Sequence, residues 1–204
     1  MGTAKKPAKK KETYHHGNLR EALLESALVL LKEAGLEALT LREVARRAGV
    51  SPGAPYHHFK DKAELIQALA QRSLETLDRI SREAIQDKST PSEKLHALGV
   101  AYVMYAVEHP AEFRIMFRPE LGLLPVVPDP ATALVFGVLI EVIREFPSIK
   151  KAQQLTVTID AAITAWSLVH GLAVLLLDGP LQRIVTDKRD IETLAKEVTA
   201  RVTF

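Results

Sequence analysis

The sequence has no cysteine among its 204 residues. That excludes disulfide bridges, cysteine-ligated zinc, iron–sulfur clusters and sensing through a thiol, and it fits a reducing cytoplasm. Aromatic residues make up only 5% of the chain, with a single tryptophan, Trp166. An excess of one charge is lacking too: 27 lysines and arginines stand against 25 aspartates and glutamates, a net charge of +2. No run alternates polar and apolar residues as a strand would, and there is no internal repeat. The only long hydrophobic run is 161–177, 17 residues without a formal charge. It contains Thr164, Ser167, His170 and Gly171 and stops at Asp178-Gly179-Pro180, which reads as a buried helix rather than a membrane span. The first residues carry positive charge, but no apolar stretch follows it, so no secretory signal is expected. What is present is ordinary for a soluble globular chain: 47% apolar and 25% charged residues. The length suits one domain, or a small one with a larger one.

The balanced charge conceals two unlike parts. Residues 1–62 hold 12 basic and 7 acidic side chains, a surplus of five, and four of the seven histidines. Residues 63–204 hold 15 basic and 18 acidic, a deficit of three. The surplus begins in a lysine-rich arm, Lys5, Lys6, Lys9, Lys10 and Lys11. A basic tail on a balanced body fits binding to a polyanion; a solvated tail is the plainer reading.

Helix starts recur. A capping residue with glutamate three positions on satisfies two orphan N–H groups reciprocally. Asn18…Glu21, Thr40…Glu43, Asp61…Glu64 and Thr90…Glu93 all have this form, the last with Pro91 at the first helical position. Helices are expected at 18–34, 41–48, 61–86, 91–109, 110–118, 130–146, 152–177 and 187–203, with a short one opened by Pro52, capped by Ser51 and ending near Phe59. Gly35 ends the first, on whose inner stripe lie Leu19, Leu23, Ala27, Leu30, Leu31 and Ala34. In 41–48 the inner face is Leu41, Val44, Ala45 and Ala48, and the outer face Arg42, Glu43, Arg46 and Arg47. Gly49 supplies the turn. The segment 119–130 is a loop rich in proline. The fold class is therefore all-α.

Thr40 to Phe59 carries the chemistry. Two helices joined by a glycine turn form a helix-turn-helix, whose second helix can enter the DNA major groove. Pro52, Gly53, Ala54 and Pro55 are small or poor helix formers, and small residues let a backbone approach another surface closely. Tyr56, His57 and His58 add polar aromatic reach, and Lys60 and Lys62 follow. Lys62 at a helix start offers charge beside free N–H groups for a phosphate. A structural loop would need none of these together.

Residues 14–69 resemble the DNA-binding domain of the TetR family of bacterial transcriptional repressors. The stretch from Leu39 through Ser51 carries the likeness, with Tyr56, His58, Phe59, Lys62 and Leu65 continuing it; Pro55 stands where leucine is commoner. The resemblance implies a homodimeric repressor on a palindromic operator. It implies DNA-facing positions at Thr40, Arg42, Ser51, Pro52, Gly53, Ala54, Tyr56, His57, His58 and Lys62. It also implies a partition into a basic flexible arm (1–13), the DNA-binding domain (14–62) and a helical effector-binding and dimerisation domain (63–204). Trp166, His170 and Gly171 resemble the Trp-His-Gly type of effector domain in this family, and Phe113 to Phe117 suits that group.

Effector contacts are expected at Tyr102, Tyr105, Phe113, Met116, Phe117, Phe136, Trp166 and His170, with core packing the competing reading of each. Trp166 and His170, four residues apart, share a helix face. Few charges lie there, so a largely apolar small molecule is expected. The stripe Ile191, Leu194, Ala195, Val198 and Val202 is expected at the dimer interface, core packing within one subunit explaining it nearly as well. An enzyme is not expected: His15-His16 and His57-His58 are adjacent pairs that do not face one another, and there is no phosphate-binding glycine loop or nucleophilic serine motif. No cofactor or metal is expected. A helical protein–protein adaptor is the remaining rival.

Overall fold

Glutamates three residues past a cap set the helix starts. Thr90 Oγ1 accepts the Glu93 N–H at 3.2 Å while Glu93 Oε2 accepts the Thr90 N–H at 3.0 Å, a complete reciprocal pair. Those backbone bonds hold the Glu93 carboxyl below its ordinary range. Thr40 and Asp61 likewise accept from Glu43 and Glu64, at 3.1 and 2.9 Å. Their glutamates turn elsewhere, Glu43 to Arg46 and Glu64 to the Lys60 N–H. The computed structural model describes residues 19–118, 134–152, 154–185 and 187–204, with backbone alone at 134 and 135. The arm at 1–13 with its lysines, His15, His16, the Asn18 cap, the 119–130 loop and the start of the helix expected at 130 lie outside the described residues.

The described elements are α1 (Leu19–Ala38), α2 (Leu41–Ala48), a 3₁₀ turn (Ala54–His57), α3 (Lys62–Ile85), α4 (Pro91–Glu108), α5 (Pro110–Met116), α6 (Leu134–Arg144), α7 (Pro147–Ala152), α8 (Leu155–Leu177), a second 3₁₀ turn (Pro180–Arg183) and α9 (Lys188–Thr199). No strand occurs among the described residues. α1 breaks at Gly35, where φ is 75°, and α2 ends on Gly49 in the left-handed region, φ 71° and ψ 28°. Both need a residue without Cβ. Ala34, expected inward, is exposed just ahead of that break. α7 was not expected, because nothing before Pro147 reads as a cap.

The third helix is a correction. Pro52 to Phe59 forms only the 3₁₀ turn, preceded by Gly53, and Ser51 offers its carbonyl to the Ala54 N–H at 3.0 Å rather than capping with its hydroxyl. Pro55 has no N–H to give to Ser51, so the bond that would open an α-helical ladder is missing, and the one such bond here closes the segment, from the Phe59 N–H to the Pro55 carbonyl at 2.9 Å. Bonds from Tyr56 to Gly53 and from His58 to Pro55 close tighter turns instead, at 3.2 and 2.9 Å.

Three cores follow. The first joins α1 and α2 to Phe59 and the N-terminal half of α3, and takes Ile115 from α5. The second gathers the C-terminal part of α3 with α4, α5, α8 and α9. The third lies among α4, α6, α7 and the start of α8. α3 thus runs from one core into the next, Leu65 and Leu69 in the first, Leu74 and Leu77 in the second.

The α9 stripe takes up the packing within one subunit that competes with the interface reading. Ile191 and Ala195, expected at a partner interface, are buried at 6% and 0% exposure in their own chain. Leu194 and Val198 pack beside them, and Val202 against the third core. α9 is amphipathic, and α4 already covers its one apolar stripe. α8 shows the reverse. By length and composition it could cross a membrane, but Ala162, Ala165, Val169 and Ala173 are buried in the protein while Ile163, Leu168, Val174 and Leu175 are exposed. A helix apolar all round carries more apolar surface than one core absorbs.

Candidate nucleic-acid interface and effector site

Pro55 and Phe59, four residues apart, are both buried and pull the 3₁₀ turn onto the first core. Arg20 lies over the Phe59 ring, its guanidinium carbon 5.4 Å from the centroid. What remains outside is Ser51, Pro52, Gly53, Tyr56 and His57, all exposed, with Ala54 and His58 half-buried beside them. Tyr56 is 53% exposed, its ring and hydroxyl on the outer side of the turn.

Thr40 and Arg42 lie on the neighbouring exposed edge of α2. Three arginines stand on this helix and two are engaged: Arg46 pairs with Glu43, and Arg47 with Glu33 at 2.8 Å. Among the described residues Arg42 has no hydrogen-bond or ion-pair partner. Its fork of donors is therefore available, the geometry that matches a guanine edge. Lys62 behaves differently. Its Nζ donates to the Leu36 carbonyl at 2.8 Å, bracing the end of α1.

The expected effector residues mostly converge. Trp166 Nε1–H donates to Tyr102 Oη at 3.1 Å, and Tyr102 Oη lies 2.8 Å from His170 Nδ1. Phe117 and Phe113 flank the imidazole, with ring centroids 4.6 and 5.7 Å away, and Phe136 meets Trp166 at 5.8 Å. Met116 is fully buried in the same core. Tyr105 stands apart: its hydroxyl donates to the Ser73 carbonyl at 3.2 Å and its ring meets His109. Burial pushes the Tyr105 phenol up to about 12 and raises Tyr102 further. A separate groove of about 500 Å³ lies between α3, α4 and α9, lined by Lys88, His96, Val100 and Lys196 among others, and shares no residue with this cluster. Among the described residues no group of three or more His, Asp or Glu side chains is placed to hold a metal ion.

Burial lowers the His170 pKa from 6.5. The unfolded imidazole then takes up its proton at a higher pH than the folded one, so protons stabilise the unfolded chain, and stability is lost as pH falls below that value. The expected result is a melting temperature that declines from about pH 7 to about pH 5, and a shallower decline in His170→Phe. Parallel curves for the two proteins would assign the acid sensitivity to other groups.

Sequence reasoning missed the outward face of α8 and the role of Tyr102 as joint partner of Trp166 and His170. Unrelieved apolar composition over 155–177 was the signal for the first; nothing local signalled the second.

Comparison with known proteins agrees with this architecture. Residues 23–69 match the family described as bacterial regulatory proteins, tetR family, and residues 95–202, more than half of the chain, match the tetracyclin repressor-like C-terminal domain. The transcriptional repressor KstR2 of Mycobacterium tuberculosis is 34% identical over 101 residues, 50% of each chain. The class C tetracycline repressor protein of Escherichia coli is 49% identical over 55 residues, 27% of this chain and 25% of its own. The chain thus matches half or less of the length of these relatives. Over nearly full length it superposes on a Rhodococcus sp. RHA1 protein of unknown function, with a TM-score of 0.71, 28% identity and coverage of 94% and 98%. A tetR-family regulatory protein from Rhodococcus RHA1 follows with a TM-score of 0.64, 19% identity and coverage of 90% and 95%. The two family domains in this order, on a helix-turn-helix followed by a larger helical body, place the chain in the TetR family of bacterial regulatory proteins.

Proposed function

We propose that the protein is a ligand-responsive repressor that binds a palindromic operator as a homodimer and is released by a small, mainly apolar effector. The observation that carries the DNA reading is the unpaired Arg42 beside the exposed Tyr56 and His57. Arg42, His57 and His58 reach base edges, while Thr40, Tyr56 and the 1–13 arm contact phosphates. Ser51, Pro52, Gly53 and Ala54 allow the backbone to approach. Lys62 reaches a phosphate with donors left over from Leu36. Repression accords with the names of the curated relatives. The working division is the arm at 1–13, the reader at 14–62 and the sensor at 63–204, in the cytoplasm.

The partner copy docks on α8 and the outer edge of α9. Ile163, Leu168, Val174 and Leu175 supply the apolar area, and Gly171, around which a Cβ would find open space, lets a second helix come close. The effector occupies the Trp166–His170 cluster, which is the basis for assigning the sensor to the Trp-His-Gly type.

The test is operator selection from a random duplex library, followed by a salt titration of the selected palindrome. Affinity is expected to fall steeply with salt, as counterion release requires. Arg42→Ala is expected to lose about 10- to 100-fold of its discrimination at one base pair per half-site while keeping the salt slope. A variant with unchanged base preference would remove Arg42 from the reading set. Failure to select any sequence would favour an adaptor.

A further inference from the structure

The polar atoms inside the aromatic cluster determine one another's roles. An indole N–H only donates, so Tyr102 Oη accepts from Trp166. Tyr102 is 4% exposed, and its hydroxyl has no third partner among the described residues. Its own proton must go to His170 Nδ1, because the alternative leaves a buried O–H unsatisfied. Nδ1 is thereby an acceptor, and the neutral imidazole carries its hydrogen on Nε2. That Nε2–H has no partner among the described residues, and it is not one of the buried unpaired atoms. It is a donor fixed in direction and open to an incoming molecule. The rings touching His170 belong to Tyr102, Phe113, Phe117 and Trp166, none of them charged. Arg114, on the same short helix as Phe113, is already paired with Asp178 at 2.6 Å.

We propose, resting on the reading of this cluster as the effector site, that the effector is an uncharged, mainly apolar molecule bearing an acceptor oxygen, and that this oxygen takes the Nε2–H of His170. Ketones, esters and lactones have this chemistry. Hydrocarbons lack the acceptor, and carboxylates would bring an anion against uncharged rings at a desolvation cost. Half-buried Trp166 acts as a positioning residue: by occupying the Tyr102 lone pair it directs the phenol proton to His170, and so sets which nitrogen faces the ligand.

Trp166 is the only tryptophan in the sequence, so its emission reports on this site alone. The full chain is titrated with phenylhexane, hexanophenone and phenylhexanoate, which share a ring and a chain and differ in acceptor and charge. Trp166 emission and thermal stability are the readouts. Hexanophenone is expected to bind about tenfold more tightly than phenylhexane, the worth of one added hydrogen bond, and phenylhexanoate more weakly than hexanophenone. In His170→Phe the ketone and the hydrocarbon are expected to bind alike. Equal binding in the native protein, or tightest binding of the carboxylate, would overturn the neutral-acceptor proposal and leave the effector site standing. No response to any of the three would overturn the site itself. Imidazole ¹⁵N shifts give an answer independent of any probe: Nε2–H is expected for His170 at neutral pH, and an Nδ1–H tautomer refutes the proposal.

Discussion

Phe59→Ala is expected to abolish operator binding although Phe59 never reaches the surface. The ring is 1% exposed at the foot of the 3₁₀ turn, packed into the core that joins α1, α2 and α3, with Arg20 above it. Removing a buried phenylalanine costs about 3–5 kcal/mol, through lost transfer energy and the cavity left behind. That is a large share of the roughly 5–15 kcal/mol that holds a domain together. The turn has little else to hold it: two prolines and a glycine deny it a continuous helical ladder, so its orientation rests on Pro55 and Phe59 being drawn inward. Tyr56→Ala is the control. Tyr56 points out, so its loss is expected to shift stability by less than about 0.5 kcal/mol and to weaken DNA binding directly. Chemical denaturation with fluorescence anisotropy on the selected operator separates the two. Native stability together with native affinity in Phe59→Ala would mean that other contacts hold the turn.

The second large effect is expected at Gly99. A Cβ there would lie 2.5 Å from Thr199 Cγ2 and 3.2 Å from Val169 Cγ1, where α4, α8 and α9 meet. Thr199 has little room to yield: it is 2% exposed, and its hydroxyl donates to the Ala195 carbonyl at 2.8 Å. Gly99→Val is expected to cost about 3 kcal/mol, the upper range for overpacking, and to lower the melting temperature by about 6–12 °C. Helix propensity works the other way, since glycine within a helix is roughly 1 kcal/mol worse than alanine. Gly171→Ala isolates that term, because nothing lies within 4 Å of its would-be Cβ. At concentrations where the chain is monomeric it is expected to gain about 0.5–1 kcal/mol. Opposite signs at two helical glycines would be explained by neighbours alone; equal signs would contradict the α4–α9 packing.

The contrast between those glycines shows what was legible beforehand. Local rules carried far where the cause was local. Thr40, Asp61 and Thr90 start their helices as capping chemistry demands, and Gly49 ends α2. The same rules overextend the helix after Ser51, because Pro52 reads as a favourable opening while the cost of Pro55 depends on how the turn packs. An apolar stripe says that a helix is covered, not by whom. Ile191 and Ala195 are covered by their own chain, and the surface left over appears on α8 instead. In the candidate site, spacing by four put Trp166 and His170 together, and Arg42 on the outer face of α2. Tyr102, 64 residues before Trp166, joins them only through the packing of α4 on α8, which periodicity along one helix does not encode.

α5 has a consequence for where this protein can be divided. It is seven residues long, and Phe113 and Ile115 are separated by about 200° around its axis and about 3 Å along it. Phe113 belongs to the core that holds Trp166 and His170, and Ile115 to the core beneath the helix-turn-helix. At the first turn of α5 the buried Glu112 meets Lys32 of α1 at 2.7 Å. The border between reader and sensor is thus a shared strut and not a linker. A fragment cut after Ala70 would keep every residue of the DNA-facing surface and still leave a hole in the reader, because one of the side chains that fills it is encoded 45 residues further on.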